Sequence, residues 1–233
     1  MVLIADAHVR PDGASTEEFF RMLEALAASP HDVVFLGDIV EFWIALPRYE
    51  NALHAGFLEW CRREVVRRRV GYVEGNHEFF VRHSHADAFS FVACNGHADG
   101  DGTLFVHGDT VKQGDLAYRL FRGLTRSTGL RWAEQVAPFG PAVAARIKRG
   151  FEKRAAKRRR FFPKSAVESF AARWFARGIT TIWMGHFHDR HVLSFPGGKR
   201  CEVVPAWQHT GSIVLSTPAG GEVRHWREVL GGP

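Results

Sequence analysis

The sequence predicts a mixed α/β fold in which two packed sheets are flanked by helices. Up to residue 184, short apolar runs alternate with helix-length segments. Beyond that point come strand-like runs joined by Pro196-Gly197-Gly198 and Pro218-Ala219-Gly220-Gly221, the turn signals of a β-meander. Five of the apolar runs lead directly into short polar segments, as a buried strand does when it hands over to a loop. Those segments are Asp6-Ala7-His8, Gly37-Asp38, Gly75-Asn76-His77-Glu78, His107-Gly108-Asp109 and Gly185-His186-Phe187-His188.

Taken in order, residues 2–5 read as the first core strand rather than as a charged-then-apolar leader. Residues 15–28 read as a helix opened by Ser15, with Glu18 three residues on in a capping-box pattern. A buried strand follows at 33–36, a helix at 51–69 and strands at 71–74 and 103–107. A long helical region covers 115–177, and a strand follows at 180–184. Short strands at 192–195, 202–205, 212–216 and 223–226 complete the chain. No internal repeat or low-complexity linker breaks this order, so residues 1–233 read as one domain.

Composition agrees with a globular protein: 45% of the residues are hydrophobic, enough for a substantial core. No stretch approaches the roughly 20 apolar residues needed to cross a bilayer. Cys61, Cys94 and Cys201 have no metal-type spacing and read as buried free thiols in a reducing compartment. The expected location is the cytoplasm.

The five polar segments concentrate metal-ligand chemistry. Mn, Fe and Zn accept mixtures of carboxylate, amide oxygen and imidazole. Asp6 and His8 lie two apart and can reach one ion; His186 and His188 share that spacing and can serve different ions. Asp38 is the natural bridge, since each carboxylate oxygen can bind one ion. Asn76 offers an amide oxygen and His107 an imidazole. His31, His54, His83, His85, His97 and His225 have no motif around them and read as structural or surface residues.

The segments resemble the calcineurin-like metallophosphoesterase superfamily, whose pattern is D-x-H, G-D, G-N-H-[DE], G-H and G-H-x-H. The resemblance runs from Ile4 to His188. It implies a four-layer α/β/β/α metallophosphoesterase sandwich holding two divalent ions, Mn²⁺ by resemblance, with Fe or Zn as alternatives. One ion would take Asp6, His8, Asp38 and His188, the other Asp38, Asn76, His107 and His186. It further implies that a hydroxide between the ions attacks phosphorus in line, with Asp38 and His77 as catalytic residues. His77, not itself a ligand, would assist the oxyanion or leaving group.

Three further regions resemble the UDP-2,3-diacylglucosamine diphosphatases of the lipid A pathway. Gly37-Asp38-Ile39-Val40-Glu41-Phe42-Trp43-Ile44 matches their G-D-x-x-E-x-W-I stretch and makes Trp43 a candidate substrate contact. An insertion at about 114–165 resembles their helical cap. There Val143, Ile147, Phe151 and Ala155 recur at helical spacing among basic residues up to Lys157-Arg158-Arg159-Arg160, the pattern of an interfacial amphipathic helix. Lys153, Arg154 and Lys157 are candidate diphosphate contacts. Trp207 to Ser212 resembles the end of the same proteins.

These resemblances imply hydrolysis of UDP-2,3-diacylglucosamine to UMP and 2,3-diacylglucosamine 1-phosphate by a protein resting peripherally on the inner membrane. The expected partners are the lipid-linked UDP-sugar and that membrane surface, with no nucleic acid; oligomeric state stays open. Gly-Asn-His-Glu, where the best-known diphosphatases have Gly-Asn-Arg-Asp, is the form of protein phosphatases and generic members. The alternative is therefore a soluble calcineurin-like phosphoesterase acting on nucleotides, phosphoproteins or nucleic acid.

Overall fold

The structure, a computed structural model, describes residues 1–11, 14–111 and 162–231. Its strands are β1 (Val2–Ile4), β2 (Val33–Phe35), β3 (Trp43–Ile44), β4 (Val70–Val73), β5 (Glu78–Phe79), β6 (Phe91–Ala93) and β7 (His97–Ala98). They continue as β8 (Thr103–Val106), β9 (Thr181–Met184), β10 (His191–Ser194), β11 (Arg200–Val203), β12 (Ser212–Thr217) and β13 (Gly220–His225). The described α-helices are α1 (Ala14–Ala27), α2 (Ala52–Val65), α3 (Val81–Ser84), α4 (Lys164–Phe175), α5 (Trp207–Thr210) and α6 (Trp226–Leu230).

One sheet has the order β13-β12-β1-β2-β4-β6 and a second the order β10-β11-β9-β8-β7; β3 and β5 pair separately. Strands β1, β2, β4 and β6 run parallel, as do β11, β9 and β8. Side chains alternate between faces with the strand period of two. Val2 and Ile4 of β1 join a core with Phe19, Met22 and Leu26 of α1 and Phe57 of α2. Leu3, with Val34 and Val214 of the same sheet, packs against Phe105 and Trp183 of the other sheet. Leu104, Val106, Ile182 and Met184 face Val167, Phe170 and Phe175 of α4. Trp183, 1% exposed, thus sits where the sheets meet; truncating a side chain so placed costs about 3–5 kcal/mol.

Helix ends are satisfied by specific groups. Asn51 caps α2, its side chain accepting from Leu53 N–H at 3.0 Å while His54 Nδ1 accepts from Asn51 N–H at 3.1 Å. The capping-box geometry therefore occurs at α2. Helix α1 opens at Ala14, one residue before Ser15, and Glu18 turns to the chain's far end, pairing with Arg227 at 3.1 Å. At the end of α1, Arg68 donates to the carbonyls of Leu26 and Ala27, last-turn groups without intrahelical partners, and beyond the helix to that of His31.

The tail differs from a simple meander. Strands β10 and β11 extend the second sheet, whereas β12 and β13 join the first beside β1. The chain crosses between them at 204–211, where Trp207 N–H donates to Ala5 and Gln208 N–H to Asp6. Of the helical region read at 115–177, residues 162–177 are described and contain α4; residues 115–161, and with them nearly all of the 114–165 insertion, lie outside the described residues. No described helix is long and apolar enough to cross a membrane.

No disulfide joins the described cysteines, and of the three only Cys61 and Cys201 are buried. Burial pushes the Cys201 thiol up to about 12 and raises Cys61 as well, which suppresses the reactive thiolate. Iodoacetamide at pH 8 is expected to alkylate Cys94 in the folded protein and the other two only after denaturation, read by peptide mass spectrometry. Labelling of Cys201 at the Cys94 rate would contradict this packing.

Candidate metal centre

All five polar segments follow the carboxyl ends of parallel strands. Asp6 and His8 come after β1, Asp38 after β2, Asn76 and His77 after β4, His107 after β8, and His186 and His188 after β9. Loops at that end of a parallel sheet are where open α/β folds place their ligands. Here strand ends of two sheets bring their loops together.

The side chains meet closely. Asp6 Oδ1 lies 3.2 Å from His188 Nε2 and 3.9 Å from His8 Nε2. His107 Nε2 lies 3.4 Å from Asp38 Oδ2, 3.3 Å from Asn76 Oδ1 and 3.2 Å from His186 Nδ1. Among the described residues, three groups could each hold a metal ion: Asp6, His8 and His188; Asp38, His107 and His186; and His8, Asp38 and His77. Asp6, Asp38 and His107 are buried, forming a floor, while the other imidazoles and Asn76 are half-buried around it.

Asp38 does not offer both oxygens equally. Oδ1 accepts from His77 N–H at 2.9 Å. Oδ2 faces His107, His77 and His8 Nε2 at 3.4, 3.9 and 4.0 Å. Of the two oxygens, Oδ2 is the one turned toward imidazoles from three loops.

Outer contacts fix which imidazole nitrogen points inward. His107 Nδ1 lies 2.7 Å from the Leu36 carbonyl and His77 Nδ1 2.6 Å from the Glu41 carbonyl. His8 Nδ1 lies 3.4 Å from Glu41 Oε2, and His188 Nδ1 3.4 Å from the Gln208 side-chain amide. Such partners orient metal-binding histidines and hold the tautomer. Neither Glu41 nor Gln208 was singled out as a site residue from sequence. Glu41 lay in the G-D-x-x-E run and could have been found there; nothing local marks Gln208.

Burial opposes charge on His107, but the charge and hydrogen bond of Asp38, with Asp6 behind it, carry the imidazole up to about 9. His186, desolvated and facing that charge, is pushed down to about 3. Burial likewise opposes ionisation of Asp38, yet His107, His77 and His8 hold it well below the usual carboxylate range. A cation taken up at His107 has to displace that proton.

The donor set suits divalent ions on its chemistry. His8 Nε2 is buried without a hydrogen-bond partner among the described residues, and its two carboxylate neighbours are too distant to supply one. A cation shared with Asp6 and Asp38 would satisfy it.

The backbone is unusual at the same places. Asp6 (φ 50°), His8 (44°), Asp38 (52°), His186 (72°) and His188 (64°) all adopt left-handed conformations; Phe80 is the other described non-glycine residue that does. Side chains rarely tolerate this region, and such strain gathers at functional sites.

Trp43 is placed elsewhere. It is fully buried, its indole N–H donates to Glu50 Oε1 at 2.8 Å, and its ring packs among His54, Phe57, Tyr72 and His85. That is a core position, not a surface for substrate. Lys153, Arg154 and Lys157 lie outside the described residues.

Carboxylates and imidazoles gathered in this way on an α/β fold define a metal-dependent hydrolase. The chain matches calcineurin-like phosphoesterases over residues 1–190, and it belongs to that family. The family fold implies a site for two divalent ions, and the activity is hydrolysis of phosphoric esters or anhydrides. Curated relatives include the "UDP-2,3-diacylglucosamine hydrolase" of Shewanella sp. (strain MR-7), 25% identical over 238 residues, covering 96% of both chains. That of Azotobacter vinelandii is 28% identical over 238 residues, covering 94% of this chain and 95% of the relative. Among solved structures, a single mutant of Vps29 from Entamoeba histolytica shares 12% identity at a TM-score of 0.43, covering 96% of this chain and 97% of that one.

Proposed function

We propose that the protein cleaves the diphosphate of UDP-2,3-diacylglucosamine, yielding UMP and 2,3-diacylglucosamine 1-phosphate, at the cytoplasmic face of the inner membrane. The reading is supported above all by relatives named for that hydrolysis that align over nearly the whole chain. Asp6, His8, Asp38 and His188 would hold one ion, and Asp38, Asn76, His107 and His186 the other, with Mn²⁺ as the metal. When bound, the two ions supply activation of the attacking water and neutralisation of phosphoryl charge. Asp38 Oδ2, which faces His8 and His107, would serve both ligand sets. His77, its Nδ1 engaged by Glu41, directs Nε2 into the site, where it can pass a proton to the departing phosphate oxygen. Lys153, Arg154 and Lys157 would contact the diphosphate.

The test is UMP release from UDP-2,3-diacylglucosamine in detergent with Mn²⁺, beside UDP-N-acetylglucosamine. Release from the acylated substrate alone, abolished by EDTA and restored by Mn²⁺, is the expected result. His77, in a Gly-Asn-His-Glu run, favours a second reading as a phosphoesterase of soluble substrates. Turnover of an aryl phosphodiester with no UMP release would establish it.

A further inference from the structure

Glu78 closes the Gly75-Asn76-His77-Glu78 run and has no ligand role in either set. Its carboxylate is fully buried and gathers three donors. Oε1 accepts from Ile39 N–H at 2.7 Å and from the Tyr72 hydroxyl at 2.6 Å; Oε2 accepts from Gly75 N–H at 2.8 Å. Ile39 follows Asp38, and Gly75 precedes Asn76. One side chain therefore ties the loop after β2 to the loop after β4, each beside a residue of the second ligand set.

The loops touch tightly enough to need that tie. A Cβ at Gly37 would fall 2.6 Å from Gly75 N, and one at Gly75 would fall 2.5 Å from Asp38 N. Gly37 also has a φ of +87° that favours glycine. Two backbones this close leave the distance between Asp38 and Asn76 sensitive to small shifts, and sub-ångström placement decides metal affinity.

We infer that Glu78 is a positioning residue that sets the spacing of Asp38 and Asn76 and thereby the affinity of the second ion. This rests on the two-ion reading above but not on any particular substrate. A carboxylate fits because Ile39 N–H, the Tyr72 hydroxyl and Gly75 N–H all donate to it. Glutamine would turn an N–H₂ toward at least one of them, and two donors cannot bond each other.

The experiment is Mn²⁺ titration of metal-stripped Glu78→Gln by calorimetry, with turnover of bis(p-nitrophenyl) phosphate as a function of Mn²⁺. Wild type should show two binding events. The variant should keep one and weaken the other by about 10–100-fold, with turnover recovering as Mn²⁺ is raised and KM unchanged. Two unaltered events, or a lower melting temperature with unaltered affinities, would overturn the inference. A wild type that binds no pair of ions would instead overturn the two-ion reading itself, and this inference with it. Should Glu78→Gln fail to fold, Tyr72→Phe removes one of the three donors and keeps the ring. It should weaken the same event by about 3–10-fold, and an unchanged affinity there would count equally against the role.

Discussion

An Asp38→Ala variant is expected to lose turnover to below about a thousandth of wild type and to lose most of its metal. Outer partners of metal ligands cost about 10–100-fold when removed; Asp38 stands inside that shell and faces both sets. Its Oδ2 lies within 4.0 Å of imidazoles from three loops, and its Oδ1 holds His77 N–H. Deletion would leave the His107 imidazole without the carboxylate whose charge favours its protonation. Alanine also sits poorly at a φ of 52°. Asp38→Asn, which tolerates that backbone, should therefore be made in parallel and should lose activity too. Metal content after dialysis and turnover of an aryl phosphodiester are the measurements; full metal with normal turnover would sink the site assignment.

A His77→Ala variant should keep its ions and turn over about 10²–10⁴-fold more slowly, the range for a lost general acid or base. The ring is held from behind by the Glu41 carbonyl and meets the His8 ring edge-on at 4.9 Å. Nε2, 3.9 Å from Asp38 Oδ2, is the atom left to act. Yet His77 also lies with His8 and Asp38 in a group able to hold a cation. Metal stoichiometry separates the two roles: a variant that loses an ion has lost a ligand, and the proton-transfer role falls.

What the sequence made legible was chemical identity and approximate place. Asp, His and Asn directly after apolar runs can be read as ligands because few other uses need those types at strand ends. Strand β1 and strand β9 were visible because each is short, apolar and bounded. Pairing was not visible: Arg200 and Ser212 begin similar-looking strands, yet β11 and β12 belong to different sheets, a choice made by partners far away in sequence. Trp43 shows the opposite failure. Its resemblance to a motif suggested contact with substrate, whereas its indole finds Glu50 and the core. Glu41 and Glu78 both stood inside quoted motifs, but their roles of holding a histidine and backbone amides depend on contacts that one dimension does not show.

The left-handed backbone at Asp6, His8, Asp38, His186 and His188 has a consequence for anyone improving this protein. Each costs about 1 kcal/mol relative to a relaxed residue, so on the order of 5 kcal/mol of folding free energy opposes the site, comparable to the whole margin of a modest domain. Screens for heat resistance or expression reward glycine or asparagine at these five positions. Selection on folding alone would thus erase the chemistry first, and the surviving aspartates and histidines mark where activity has outweighed robustness.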